Sequence, residues 1–153
     1  MKQFIKILTT ALLLMPICSI AKDNINKDIA MSVSGTFTVK LETHHDESAP
    51  AGRMTLLKEY SGSLTGNGVG QMISKRTTGG ASVYSAIEEF EGSLNGKKGG
   101  FTLFHNGFMS SSKHELNIII IEGSGSGELE GIEGKLSITQ ENNAHQYELQ
   151  YNL

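Results

Sequence analysis

The sequence predicts an all-β chain, an eight-stranded antiparallel barrel behind a secretory leader, and three observations carry that expectation. Short runs of alternating apolar and polar residues follow one another from Met31 onwards, separated by Gly, Asn and Ser. No window offers an amphipathic helix. A G-x-L-x-G pattern recurs as Gly62-Ser-Leu64-Thr-Gly66, Gly92-Ser-Leu94-Asn-Gly96 and Gly127-Glu-Leu129-Glu-Gly131. Short strands with frequent turns indicate a sandwich or a barrel. The repeat favours the barrel if its glycines let a strand bend and its leucine closes one end. It also reads as recurring turn chemistry, and the sequence leaves both open.

Taken in order, the chain begins with a leader. Met1 to Lys6 is short and basic, Ile7 to Ile17 is almost wholly apolar, and Ser19-Ile20-Ala21 offers the small residues a signal peptidase reads. The stretch is too short and wrongly flanked for a membrane span. Cys18 suggests a lipoprotein, but Ile17 stands where a small residue is needed, so cleavage after Ala21 is expected. Residues 1–21 are therefore read as a signal peptide, 22–30 as a polar tether and 31–153 as the barrel domain of an exported, periplasmic or secreted protein.

Cleavage removes the only cysteine, so neither a disulfide nor thiol chemistry is expected. It also takes the 13 Lys and Arg to 11 against 16 Asp and Glu, a formal charge of −5. That balance excludes a nucleic-acid partner.

The expected strands are Met31–Leu41, Arg53–Ser63, Val69–Thr77, Ser82–Ser93, Gly100–Met109, His114–Glu122, Gly134–Glu141 and His145–Leu153. The last alternates most cleanly, with His145, Tyr147, Leu149, Tyr151 and Leu153 on one face. The sixth departs from alternation: Leu116 and Ile118 to Ile121 are apolar on both faces, and Phe104 and Phe108 lie on the outer face of its neighbour. An antiparallel strand apolar on both sides has its outer face covered. A homo-oligomer through Phe104, Phe108, Ile119 and Ile121 is the expectation, with cover by the tether as the alternative.

The chemistry concentrates on the hairpin Ser82–Met109. Tyr84, Ala86, Glu88 and Phe90 share one face of its first arm, and Phe101, Leu103, His105 and Met109 one face of its second. A two-residue turn at Asn95-Gly96 pairs residues whose numbers sum to 191, Ala86 with His105; a four-residue turn makes the sum 193 and pairs Glu88 with His105. Either odd sum puts Glu88 and His105 on the same face. That inner wall also receives Met54, Leu56, Lys58 and Tyr60 from the second strand, and His145, Tyr147 and Tyr151 from the last. Lys58, Tyr60, Tyr84, Glu88, His105, Tyr147 and Tyr151 are the candidate ligand-binding residues, and Glu88 and His105 the candidate catalytic pair. Charged groups on an inner wall must pair or hydrogen-bond. If they meet, Glu88 can orient or deprotonate, His105 can act as acid or base, and Lys58 can hold an anionic group.

Other signals are weaker. His44-His45-Asp46-Glu47 has metal-ligand residue types, but consecutive side chains rarely converge on one ion, and no metal or other cofactor is expected. Gly66-Asn-Gly-Val-Gly70 and Gly123-Ser-Gly-Ser-Gly127 precede no helix and read as turns rather than phosphate loops. Ser110 to Ser112 lack the elbow of a nucleophilic serine.

The series G-R-M-T-L-L-K (Gly52–Lys58), Y-S-A-I-E (Tyr84–Glu88), G-x-L-x-G-K-x-G-x-F-x-L-x-H-x-G (Gly92–Gly107), G-S-G-x-G-E-L-x-G-I-x-G (Gly123–Gly134) and H-x-Y-x-L-x-Y (His145–Tyr151) resembles an uncharacterised bacterial family. Its members carry a domain of unknown function and are similar in fold to plant allene oxide cyclase, to which the dirigent proteins are related. The resemblance spans about Ser34 to Leu153. It implies an eight-stranded antiparallel barrel with a central cavity, often in an oligomer, and carries no catalytic residue over. Three functional expectations result. One is a barrel binding a small, partly apolar molecule in its lumen. Another is a cavity isomerase or cyclase using Glu88 and His105. The third is an interaction scaffold presenting its outer face.

Overall fold

The strands form nearly where the alternation places them: β1 (Met31–His44), β2 (Gly52–Gly62), β3 (Leu64–Arg76), β4 (Ser82–Leu94), β5 (Lys97–Met109), β6 (His114–Ile120), β7 (Glu133–Glu141) and β8 (Ala144–Asn152). The computed structural model of the protein describes residues 31–141 and 144–153, so the predicted signal peptide and tether lie outside the described residues. Each strand pairs antiparallel with its chain neighbours, and β8 returns to β1, closing an up-and-down barrel. The only helical element among the described residues is a 3-10 turn, Gly127–Leu129.

Between β4 and β5 the chain takes the tighter of the two turns the sequence allows. Asn95 and Gly96 both have positive φ, 49° and 85°, as a two-residue primed hairpin turn requires. Ala86 therefore pairs with His105, and Glu88 with Leu103.

One expectation fails here. Gly66-Asn-Gly-Val-Gly70 is not a turn but the first half of β3, which starts five residues earlier than predicted. Gly66, Gly68 and Gly70 all point inward, opposite Tyr60, Lys58 and Leu56 of β2 and Gly92, Phe90 and Glu88 of β4. With no side chains, this strand offers bare backbone over which its neighbours' long side chains lie. Gly123–Gly127 is irregular chain, as expected.

The connections β2–β3, β4–β5 and β6–β7 gather at one end, which is sealed. Leu64, Leu94 and Leu129, the central residues of the three G-x-L-x-G copies, are 0%, 1% and 0% exposed. The leucines thus close the barrel as the first reading of the repeat supposed. Backbone links join the plug to the strands, Asn95 N donating to Ser63 O (2.8 Å) and Ser126 N to Gly100 O (2.9 Å). Below it an aromatic layer fills the lumen: Phe90 stacks on Phe101 at 4.9 Å, and Tyr60 meets Phe90 and Tyr147 edge-on at 5.6 and 5.5 Å.

The opposite end is open and uneven. β1 is registered with β8 only from Met31 to Phe37 but runs on to His44. β6 and β7 share a single registered pair, Ile119 with Lys135. Beyond Phe37, β1 therefore stands without β8 as a free edge.

Candidate functional site: a buried charged cluster beneath an open mouth

Period-two alternation aims Lys58 and Tyr60 of β2, Glu88 of β4 and His105 of β5 into the lumen, and the bare β3 wall lets them meet. The Lys58 ammonium donates to Glu88 Oε2 at 2.7 Å and to Tyr60 Oη at 3.2 Å. Tyr60 Oη donates to Glu88 Oε1 at 2.8 Å. His105 Nε2 lies 2.9 Å from Glu88 Oε2. The two groups are in contact, but the direction is off the line of a hydrogen bond, so this buried nitrogen has no aligned partner. A methyl group at Gly68 would fall on Glu88 Oε1, so only glycine leaves the carboxylate its place.

Lys58, Glu88 and His105 are 7%, 0% and 3% exposed, the buried charged and polar residues of the barrel. Burial alone would push the Glu88 carboxyl up, but His105 and the Lys58 ammonium against it more than offset this and hold it below the ordinary carboxylate range. Burial, together with the Glu88 charge and its hydrogen bond, pushes the Tyr60 hydroxyl far above the ordinary phenol range. Near neutral pH the hub is thus a carboxylate held by an ammonium and a phenol. The ammonium also sits 4.8 Å from the centre of the Phe37 ring.

Four of the seven predicted site residues converge in this way, and three do not. Tyr84 stands nearer the open end, its ring laid against Gly107, where a Cβ would collide with it. Tyr147 and Tyr151 belong to the sealed end: Tyr147 Oη accepts from Leu64 N at 2.7 Å, and Tyr151 Oη accepts from Asn95 Nδ2 at 3.4 Å. They bolt the plug to β8, and Tyr147 touches the cluster only through the edge of the Tyr60 ring. Parity gave them the right face; their height along the barrel axis separates them from Glu88.

Sequence reasoning missed the mouth. Leu41, Met109 and Leu116 share the inward parity, since Leu41 pairs with Leu56, Met109 with Ser82 and Leu116 with Gly107. Yet they are 51%, 37% and 44% exposed. Val39, Met54, Met72 and Tyr84, also inward, are half-buried. These side chains share the lumen's parity and lie toward the open end, beyond the cluster. Beside them, at the free edge of β1, a groove of about 560 Å³ includes Phe37, Val39, Glu59 and His145 in its lining. The signal was available, because the same parity that selected Glu88 also selects Met54, Met109 and Leu116.

The His44–Glu47 loop sends its side chains to separate partners. His44 Nε2 bonds Thr55 Oγ1 at 2.7 Å, Asp46 accepts from Ser48, and His45 lies 3.6 Å from Glu47. Among the described residues no group of three or more His, Cys, Asp or Glu could hold a metal ion.

Together these features define a class: a closed, eight-stranded antiparallel barrel, sealed at one end, with an acid–base cluster below an apolar opening. The chain belongs to the DUF3224 family, described as proteins of unknown function, whose model matches residues 33–151. It is similar to a solved structure of a protein of unknown function from this family from Shewanella oneidensis MR-1. The two share 35% identity and a TM-score of 0.77, over 81% of this chain and 98% of that one. No curated protein matches.

Proposed function

We propose that this is an exported barrel that binds a small, partly apolar molecule at its open end, without turnover. The observation that carries the reading is the exposure of inward-facing Leu41, Met109 and Leu116 directly above a desolvated Lys58–Glu88–His105 cluster. A barrel that served only as a scaffold would bury those side chains or replace them with polar ones. The apolar body of the ligand lies against Leu41, Met54, Met72 and Leu116, the methionines adapting to its shape. Its polar end points toward Lys58 and His105, whose Nε2 lacks an aligned acceptor. The leader-like residues 1–21 support export, and the likeness to allene oxide cyclase points to a lumenal site as an analogy of fold alone.

The contact between Glu88 and His105 supports a second reading, an isomerase or cyclase using them as base and acid. Its weakness is electrostatic. Glu88 gives both oxygens to Lys58, Tyr60 and His105, and its depressed pKa makes it a poor base near neutral pH. Binding without turnover fits the geometry better.

The test uses anilinonaphthalene sulfonate, an apolar dye with an anionic group. It should bind wild-type protein with one site per chain, and the uncharged polar changes Leu41→Asn or Leu116→Asn should weaken binding about tenfold or more, a change of about 1.4 kcal/mol. Ile87→Lys, on the outer wall, should leave the mouth's affinity unchanged. Equal affinity in wild type and both mouth variants would sink the proposal.

A further inference from the structure

Outside the lumen, a second feature has no role in ligand binding. The outer wall of β3 and β4 carries Val69, Ile73, Val83 and Ile87, 51%, 56%, 49% and 54% exposed. Their spacing makes them one surface. Ile73 pairs with Ser85 and Ile87 with Gln71, so Ile73 is the diagonal neighbour of both Val83 and Ile87. Ile87 continues through Phe104 to Ile119 on β6, and Val83 through Phe108. Leu57 extends the patch on β2, next to Val69. With strands ~4.8 Å apart and ~3.3 Å per residue, the face from β2 to β6 and from Val83 to Glu91 measures roughly 20 by 26 Å. On a closed eight-stranded barrel these strands cover about half the circumference, so the surface is convex, offers no concavity to a small molecule and meets a protein partner through its β3–β4 crest.

The charges at its margins identify the occupant. Toward the sealed end the outer face carries Glu59, Glu89 and Glu91 on β2 and β4 against the single Lys98 of β5; toward the open end it carries Arg53 and Lys75 on β2 and β3 against the single Glu115 of β6, so the margins around the β3–β4 centre are acidic at one end and basic at the other. All seven are exposed. A copy of the same face turned end for end sets its basic margin over the acidic margin of the first, with the apolar centres in contact. That is the self-complementarity of an isologous two-fold interface. We infer that the β2–β6 outer wall is the interface of a homodimer whose two barrels run antiparallel, centred on Ile73 and Ile87. Phe104, Phe108 and Ile119, expected to form the contact, flank this centre, and Ile121 lies at its border.

Light scattering and sedimentation of the purified protein at about 10 μM, well above a micromolar Kd, test this. Wild type should be a dimer. Ile87→Glu and, independently, Ile73→Glu should be monomers that keep the wild-type circular dichroism and a cooperative unfolding transition, because both side chains point to water within one protomer. Arg53→Glu/Lys75→Glu should weaken the dimer about tenfold, the factor 1.4 kcal/mol corresponds to. Adding Glu89→Lys/Glu91→Lys in the same chain should restore it. A monomeric wild type, or folded Ile87→Glu and Ile73→Glu proteins that remain dimers, would overturn the interface. Failure of the second charge reversal to restore affinity would overturn the antiparallel arrangement.

Discussion

Glu88→Gln should lower the unfolding free energy by about 3–5 kcal/mol, the range for removing one partner of a buried ion pair. Glutamine nearly preserves the shape, so packing changes little and the effect is electrostatic. The Lys58 ammonium, 7% exposed, then faces a neutral amide where it had a carboxylate at 2.7 Å. Replacing the whole cluster, as Lys58→Met/Glu88→Leu/His105→Phe, should be neutral or stabilising, because apolar groups of similar volume carry no desolvation penalty. Urea midpoints at constant slope read both. A loss under about 1 kcal/mol for Glu88→Gln, the scale of an exposed pair, would mean that water reaches the cluster. A large loss alongside a stable triple variant would show charges retained at a net cost in stability. That is the signature expected of a functional site.

The same carboxylate sets an acid limit. Its folded pKa lies below the ordinary value, so its ionisation stabilises the fold fully above the unfolded pKa of about 4.3. That contribution is lost as pH falls through the lower, folded value. The stability difference between wild type and Glu88→Gln should therefore be constant from neutral pH down to about 4.5 and shrink below it. A difference that grew on acidification would mean that Glu88 is protonated in the folded state.

Side-chain parity was legible in the sequence, and axial height was not. Parity needs only the period of two, which is why Glu88 and His105 shared a face under either turn and why Lys58 and Tyr60 joined them. Height depends on turn lengths and on how far each strand is sheared against the next, information distributed over all seven connections and eight strand pairings. Tyr147 and Tyr151 therefore carried the right parity yet landed in the plug, while Leu41 and Leu116, of the same parity, landed in the mouth. The glycines of β3 were misread for another reason. Gly66-Asn-Gly-Val-Gly70 has the composition of a turn, and only the side chains lying over it, Tyr60 and Glu88, show that a strand without side chains is needed there. Likewise, β6 drew attention to the outer wall through its unbroken apolar run. The most exposed residues belong to β3 and β4, where Val69, Ile73, Val83 and Ile87 alternate with polar neighbours and each looks ordinary alone.

Gly92→Ala should destabilise the barrel by about 3 kcal/mol, at the upper end of ordinary overpacking costs. Gly92 is registered between Gly66 of β3 and Gly99 of β5, so three inward glycines lie side by side across three strands. A methyl at Gly92 would meet Thr65 O and come within 2.8 Å of Gly66 Cα. These are backbone atoms, so no rotamer change relieves the contact; the strands themselves must separate. Their close approach bends the sheet at the sealed end, where Leu64 and Leu94 seat and the Tyr60–Phe90–Phe101 layer begins. Widening it should loosen the plug and the aromatic layer together. Gly79→Ala is the matched control: its Cβ would meet only Thr77 Oγ1 at an ordinary 3.8 Å, so its effect should stay within about 0.5 kcal/mol. Unfolding midpoints compare the two directly. Equal, small effects would show that the glycine row is turn chemistry after all. A loss confined to Gly92→Ala would establish that close backbone approach closes this barrel and holds Tyr60 where Glu88 can reach it.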